Sequence, residues 1–261
     1  MSLTHPTAAE LAEIFSHSKP YNGTSKLTPV LQRICADIDV VAQASGADRL
    51  TKFALADDFC GASLPSWLTS QDTSAAGAPT IAVVADALGG QWTLTHAATD
   101  EVENIGLNGN NNQYVKVPAA AGEIAAFEAR VKISAQLTAA ERVVIGLASD
   151  RAADLDTIVT NAWIRAEGAN LNLYWETDDG TTDDDDNDTH VDYVADTFFV
   201  VRIEVHFGGA VKFFVNGAPC GTGSIAATAS AGLQPFIEFQ KDSGTTTKYV
   251  RIDWLALTAP R

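Results

Sequence analysis

The sequence is poor in cysteine and in positive charge, and each shortage argues against a class of protein. Its three cysteines, Cys35, Cys60 and Cys220, are far apart and form no C-x-x-C pair. This odd, widely spaced set is typical of neither a disulfide framework nor a zinc site, so we predict three free thiols. Seventeen Lys and Arg against 33 Asp and Glu give a net charge of -16. Nucleic acid and anionic membranes are therefore not expected as partners, since phosphate contacts need clustered Lys and Arg.

Signals for export and for membrane insertion are also lacking. Residues 1–6 contain no basic segment, and no apolar run follows them. We therefore expect synthesis in the cytoplasm without a signal peptide. No apolar run approaches the length of a membrane span, so no membrane partner is expected.

The most informative pattern lies in residues 198–217. Apolar and charged residues alternate from Val201 to His206, a Gly-Gly pair follows at 208–209, and the alternation then resumes up to the Asn-Gly pair at 216–217. Such alternation on both sides of a glycine turn predicts a β-hairpin. Short alternating segments with turn residues at ~8–12-residue intervals follow Arg49 and predict an antiparallel sandwich or barrel.

The first ~45 residues have a helical pattern instead. A capping box at residues 7–10 begins one predicted helix, and Thr28-Pro29 begins a second. Apolar residues recur at 4-3 spacing through residues 27–41. This seam either packs against a second copy as a short coiled coil or lies on its own domain. We predict a helical arm for attachment or oligomerisation over residues 1–50 and a β domain over residues 51–261.

Several segments in a fixed order carry a resemblance to a known fold. They read DDF from Asp57 with LPSW from Leu64, FEARV from Phe127, VIGLA from Val144, the hairpin of residues 198–217, and YVRIDWL from Tyr249. In this order they resemble the strands of the concanavalin A-like lectin/glucanase superfamily in its laminin-G-like form. The resemblance implies a mostly β fold, an antiparallel jelly-roll β-sandwich that follows the short helical arm.

The helical lead and the DDF…LPSW opening also resemble structural proteins of tailed bacteriophages, which use lectin-like jelly rolls as capsid decoration or fibre modules. This implies a non-enzymatic virion protein, a capsid decoration or head-fibre component, with the major capsid protein or other virion proteins as partners. It also implies a homo-oligomer located in the virion. The alternative is a carbohydrate-binding module that holds a cell-surface glycan without catalysis.

The sequence also lacks the set of catalytic carboxylates that glucanases of this superfamily contain. Glucanases of the superfamily place three carboxylates on alternate residues of one strand, as E-x-D-x-E, so that one attacks and another protonates. In the segment from Asp100 to Glu103, only Glu101 and Glu103 have this spacing, with no third carboxylate at either end. The five histidines show no paired ligand spacing. We therefore predict a protein that is not an enzyme, with no catalytic residues, no metal ligands and no cofactor.

Residues 178–188, DDGTTDDDDND, are densely acidic. Asp183, Asp185 and Asn187 occupy positions 1, 3 and 5 of a calcium-loop pattern, but Asp188 replaces the glycine at position 6. We predict an exposed, mobile loop with no bound ion, because most runs of like charge are solvated. A calcium site at the rim of the sandwich is the alternative.

The tryptophans are the remaining candidates for a ligand site, because sugars often stack on exposed aromatic rings. Trp175 and Trp254 lie on apolar strand faces and are predicted to belong to the core. Trp67 and Trp92 lie nearer to loops and are candidates for stacking. The sequence does not otherwise identify the ligand-binding residues.

Overall fold

A computed structural model describes residues 52–87, 89–226 and 232–260 of the chain. Residues 1–50, predicted as a helical arm, lie outside these ranges. The described strands are β1 (Lys52–Asp57), β2 (Thr69–Asp72), β3 (Thr80–Val83), β4 (Trp92–Thr95), β5 (Glu103–Asn108), β6 (Ile124–Ile133), β7 (Glu141–Ala148), β8 (Asn161–Glu167), β9 (Asn172–Asp178), β10 (Asp183–Asp192), β11 (Phe199–His206), β12 (Ala210–Val215), β13 (Ala218–Ser224), β14 (Gln234–Lys241) and β15 (Tyr249–Pro260). Two short 3-10 turns, Leu155–Thr157 and Phe207–Gly209, complete the described elements.

The strands form two antiparallel sheets. The first has the order β13-β12-β11-β6-β15-β4-β3, with β1 also paired to β15, and the second has the order β10-β9-β8-β7-β14-β5-β2. Strands β1 and β15 pair along the whole of β1, from Lys52 opposite Pro260 to Asp57 opposite Leu255. The prediction of an antiparallel β-sandwich is confirmed.

The core lies between the sheets and is built from alternate residues of each strand. On β11, Val201, Ile203 and Val205 are buried, whereas Arg202 and Glu204 are half-exposed on the outer face. The hairpin predicted over residues 198–217 is present. Val205 is opposite Val211, and the Asn-Gly pair that ends β12 has φ angles of 52° and 78°. Positive φ at both positions is the conformation that Asn-Gly favours in a tight turn.

One segment predicted as a loop contains a strand. Within residues 178–188, Asp183–Asp192 forms edge strand β10, with Asp183 opposite Asp178 and Asp188 opposite Tyr174. An edge strand needs only one paired neighbour, so its other side tolerates exposed carboxylates.

The prediction that Trp254 lies in the core is wrong. The register between β15 and β6 shifts between Ile252 and Trp254, so Asp253 is an extra residue. After the shift Leu255 points inward, and Trp254 lies half-exposed opposite Arg130 on the outer face. Trp175 does pack against the core, with its ring stacked on Phe213 at 5.4 Å between centroids.

Two further predictions concern the cysteines and membrane insertion. Cys60 is exposed and Cys220 is half-buried, and both are free thiols as predicted; Cys35 lies outside the described residues. Over the described ranges, no helix has the length and apolar character needed to cross a membrane.

Candidate functional site

The connection from β7 to β8 covers the outer face of the second sheet, the face turned away from the core. We call residues 150–160 the strap. Its backbone is held by Asn104 of β5, whose Nδ2 donates to the carbonyl oxygen of Ala153 at 2.9 Å. At its start, Arg151 Nε donates to Glu238 Oε2 of β14 at 2.8 Å. The strap is thus fixed to two strands of this sheet.

A second, smaller hydrophobic cluster lies beneath the strap, separate from the core. Leu155 and Ile158 of the strap are 0% and 1% exposed. The sheet contributes four buried residues to the same cluster: Val144, Ala148, Trp163 and Phe236. The rings of Trp163 and Phe236 lie 6.2 Å apart between centroids. Burying two aliphatic side chains stabilises the strap by about 1.5–3 kcal/mol for each residue.

Two buried carboxylates also lie on this face. The side chain of Glu238 is fully buried, and burial raises its pKa, while the guanidinium of Arg151 opposes this shift. Glu176 is 2% exposed. Burial raises the pKa of Glu176 to about 7, against the opposing effects of Arg165 and of a hydrogen bond from the Trp163 indole.

The strap also carries a carboxylate into this network. Asp156 Oδ1 accepts from Arg165 Nη1 at 3.0 Å, and Asp156 Oδ2 accepts from Arg142 Nη1 at 3.4 Å. Arg165 lies 3.3 Å from Glu176 Oε1 and 2.6 Å from Glu167 Oε2. Arg165 therefore joins the strap to strands β8 and β9.

The two buried carboxylates are too far apart to act together on one glycosidic bond. Glu238 on β14 is in register with Val144 on β7, which is in register with Arg165 on β8, and Arg165 is opposite Tyr174 on β9. Glu176 is on β9, three strand spacings or about 14 Å from β14. The acid and the second carboxylate of glycosidases are about 5–9.5 Å apart.

Sequence reasoning missed one carboxylate pair on this face. Glu176 and Asp178 alternate on β9, which gives the first two positions of E-x-D-x-E, and the third position is Gly180. The spacing is visible in the sequence, but the burial of Glu176 is not. The pair of Glu176 and Asp178 therefore lacks the third carboxylate, and Glu176 is buried.

Glu101 and Glu103, the two carboxylates considered from the sequence, hold loops together. Glu101 accepts hydrogen bonds from the backbone amides of Ala76 and Gly77. Glu103 is fully buried, 3.3 Å from Lys241 Nζ. Neither side chain is placed on the covered face.

The two tryptophans considered for stacking are not exposed platforms. Trp92 is 7% exposed and packs beside Phe59, with 6.3 Å between ring centroids. It therefore offers no free ring face, and the interpretation of Trp92 as a stacking residue is wrong. Trp67 is half-buried against the core.

The acidic strand β10 does not gather ligands for a metal ion. In the ranges that the structure describes, no group of three or more His, Cys, Asp and Glu side chains is arranged to hold one. Burial, and the nearby carboxylate of Asp183, raise the pKa of Asp185 to about 6. These carboxylates repel one another.

A groove elsewhere on the domain is free of the strap. It has a volume of about 420 Å³ and lies where the connection from β5 to β6 passes the start of β1 and the end of β15. Phe53 and Tyr114 lie in its wall with their rings parallel within 7° and 6.1 Å between centroids. Gln113, Lys116 and Glu123 supply its polar side chains.

Comparisons with known proteins identify the fold. No protein-family model and no curated protein matches the sequence. A solved protein of unknown function from Shewanella oneidensis is similar, with a TM-score of 0.61, 10% identity, and coverage of 93% of this chain and 97% of that one. The carbohydrate recognition domain of Emp47p gives a TM-score of 0.54 at 10% identity over 82% and 99% of the two chains. The endo-1,3-beta-glucanase of Streptomyces sioyaensis gives 0.52 at 11% identity over 79% and 96%.

These similarities define a class of fold. The β domain has the concanavalin A-like, lectin/glucanase-like jelly-roll fold, and this part of the predicted resemblance is confirmed.

Proposed function

We propose that this protein is a non-enzymatic structural component of a virion, a capsid decoration or head-fibre protein that displays its lectin-like sandwich outward. The observation that carries the proposal is the strap. It packs on the outer face of the second sheet with buried side chains and ion pairs, so the part of this face beneath it is not open to a polysaccharide chain. A domain closed in this way is suited to stable display.

The carboxylate geometry supports the absence of catalysis. Glu176 and Glu238 are separated by about three strand spacings, beyond the reach of an acid and nucleophile pair. Glu176 has a second carboxylate near it on β9, but its own oxygens are engaged by Trp163 and Arg165. Purified protein is therefore expected to release no reducing ends from β-glucans or β-galactans. Turnover that is lost in Glu176→Gln would overturn this part of the proposal.

The partner in this proposal is the major capsid protein or another virion protein, contacted through residues 1–50. A net charge of -16 favours solubility at the high local concentration of an assembled surface. A homo-oligomer formed through the 4-3 seam of residues 27–41 is part of the same proposal.

Virion association is tested by density-gradient purification of particles from cells that express the tagged protein with its phage. We expect the full chain to sediment with particles and a variant lacking residues 1–48 to remain soluble and folded. A truncated protein that unfolds would show that the arm belongs to the domain. A folded full chain that never sediments with particles would overturn the virion role.

The second candidate function is carbohydrate binding without catalysis. The groove beside Tyr114 favours it, because two parallel aromatic rings with a few polar side chains are typical of a small-ligand site. The carbohydrate recognition domain of Emp47p shares the fold. Binding of the purified domain on a glycan array is the test, and the absence of any bound glycan would exclude this candidate.

A further inference from the structure

We propose that the groove beside Tyr114 is a binding site for a neutral oligosaccharide. This inference rests on the second candidate function, carbohydrate binding, and adds to it the site and the chemical class of the ligand. The groove has a volume of about 420 Å³, which is within the range of sites for small molecules.

The connection that forms the groove is held in place by the core. Val115 makes an isolated bridge with Leu233, and the amides of Tyr114 and Val115 both donate to the Leu233 carbonyl at 3.0 and 2.9 Å. The ring of Tyr114 lies against Phe53 of β1. The aromatic wall of the groove is therefore formed before any ligand binds, which lowers the entropy lost on binding.

The aromatic wall suits the apolar face of a sugar ring. One face of a pyranose presents C–H groups, which pack on an aromatic ring, while its hydroxyls point outward around the edge. Val117, Pro118 and Pro260 extend the apolar surface beside the two rings. Such a wall gives contact area but no charge.

The polar side chains of the groove suit hydroxyl groups and not a charged ligand. Gln113 Oε1 accepts from the Gly232 amide at 2.8 Å, which fixes the side chain and leaves its NH₂ as a donor. Glu123 Oε2 accepts from the Ala120 amide at 3.0 Å, which leaves Oε1 as an acceptor. Lys116 is exposed and donates only. Within this groove the charges of Lys116 and Glu123 offset each other.

A second cavity of about 270 Å³ shares Glu123 and Pro260 with the first and is also lined by Lys52 and Ile124. Ile124 is 41% exposed. Together the two cavities accommodate more than one sugar unit, so the ligand is a chain and not a single monosaccharide.

The test uses the full chain with laminaritetraose and with a β-galactotetraose, two neutral chains, and with a tetramer of glucuronic acid as the charged comparison. Affinity is measured by calorimetry, and the binding surface by amide chemical-shift changes. We expect a neutral tetramer to bind, with shifts in residues 113–124, and the acidic tetramer to bind at least about tenfold more weakly because of the net charge of -16.

Variants separate the groove from the rest of the domain. Tyr114→Ala is expected to weaken binding about tenfold through the loss of the stacking ring, while Tyr114→Phe retains it. Lys116→Glu, an exposed change that leaves the fold intact, is expected to weaken binding as well. The matched control is Val194→Ala, which removes an exposed side chain, 64% accessible, between β10 and β11. This connection lies at the Ile133 end of β6, away from the Ile124 end that lines the second cavity, so affinity is expected to be unchanged.

The outcomes separate this inference from the function on which it rests. The groove is not the site if a tetramer causes chemical-shift changes outside residues 113–124, or if it binds Tyr114→Ala and Lys116→Glu as tightly as it binds the parent. Carbohydrate binding would still stand in that case. Failure of both neutral tetramers, together with an empty glycan array, overturns both.

Discussion

At the scale of single residues, Glu176 links stability to pH. Burial raises its pKa in the fold to about 7, above the ordinary value of 4.5. Between these two pH values the folded chain retains a proton that the unfolded chain has released. The contribution of Glu176 to the free energy of unfolding is therefore full below pH 4.5 and is lost as the pH rises through 7.

Glu176→Gln removes this dependence. We expect the variant to gain stability relative to the parent, by as much as about 3 kcal/mol, as the pH is raised from 4.5 to 8. Urea denaturation across this range measures the difference. Glu167→Gln, which removes another carboxylate from Arg165, is the control for a lost ion pair. A difference that does not change with pH would contradict the assignment.

His96 changes stability with pH in the opposite direction. The contribution of Glu176 must therefore be taken from the difference in free energy of unfolding between Glu176→Gln and the parent. Burial lowers the pKa of His96 to about 4 from 6.5, and its ring stacks on Phe239 at 3.8 Å between centroids. Its contribution to stability is present above pH 6.5 and is lost as the pH falls towards 4. Because both proteins retain His96, its contribution cancels.

At the scale of elements, the strap is a unit with its own small hydrophobic cluster. Leu155→Ala removes a side chain that is fully buried in that cluster and not in the core. A Leu→Ala change in a packed site costs about 2–5 kcal/mol, so we expect amide exchange in residues 150–160 to become at least about thirtyfold faster. Strands β6 and β11 are expected to keep their protection.

Leu147→Ala is the matched control, because Leu147 lies on β7, next to the strap in sequence, but packs in the main core. It should lower the stability of the whole domain and accelerate exchange in all strands. If Leu155→Ala has the same uniform effect, then the strap does not open separately, and it is an integral layer of the sandwich.

The sequence predicts an element best when the pattern that determines it lies within a short stretch of residues. The hairpin of residues 198–217 follows from alternation and two turn dipeptides within twenty residues. Trp254 was misplaced because one extra residue at Asp253 reverses the alternation, and no local pattern marks it. The strap is a tertiary arrangement. Its only sequence signal is Leu155 and Ile158 in a polar connection, and this does not reveal which face they cover.

At the scale of the whole molecule, the uneven distribution of charge sets the response to salt. Strand β10 places several Asp side chains on an edge of the second sheet, and most of them are exposed. Their mutual repulsion is screened by salt. We expect the melting temperature to rise by about 2–4 °C between low and physiological ionic strength.

Charge removal on β10 tests this account. The double variant Asp183→Asn, Asp185→Asn is expected to be more stable than the parent at low salt, with the gain shrinking as salt is added. The matched control is Asp242→Asn, which removes a carboxylate that pairs with Arg142 at 2.6 Å and should not stabilise. Calcium at constant ionic strength is expected to add nothing. A saturable calcium effect that the double variant abolishes would show a metal site instead.

The pairing of β1 with β15 places the first and last strands of the sandwich side by side, so the order of the strands along the chain can be changed. Because Lys52 lies opposite Pro260, the two ends of the sandwich are one strand spacing apart. A short glycine linker should therefore close the domain into a ring, and opening it at the β8–β9 turn, between Gly168 and Ala169, gives a circular permutant. We expect this permutant to unfold cooperatively with a near-parental melting temperature. For the same reason the domain is suited to insertion within a surface loop of another protein, since its two ends need to be only as far apart as neighbouring strands.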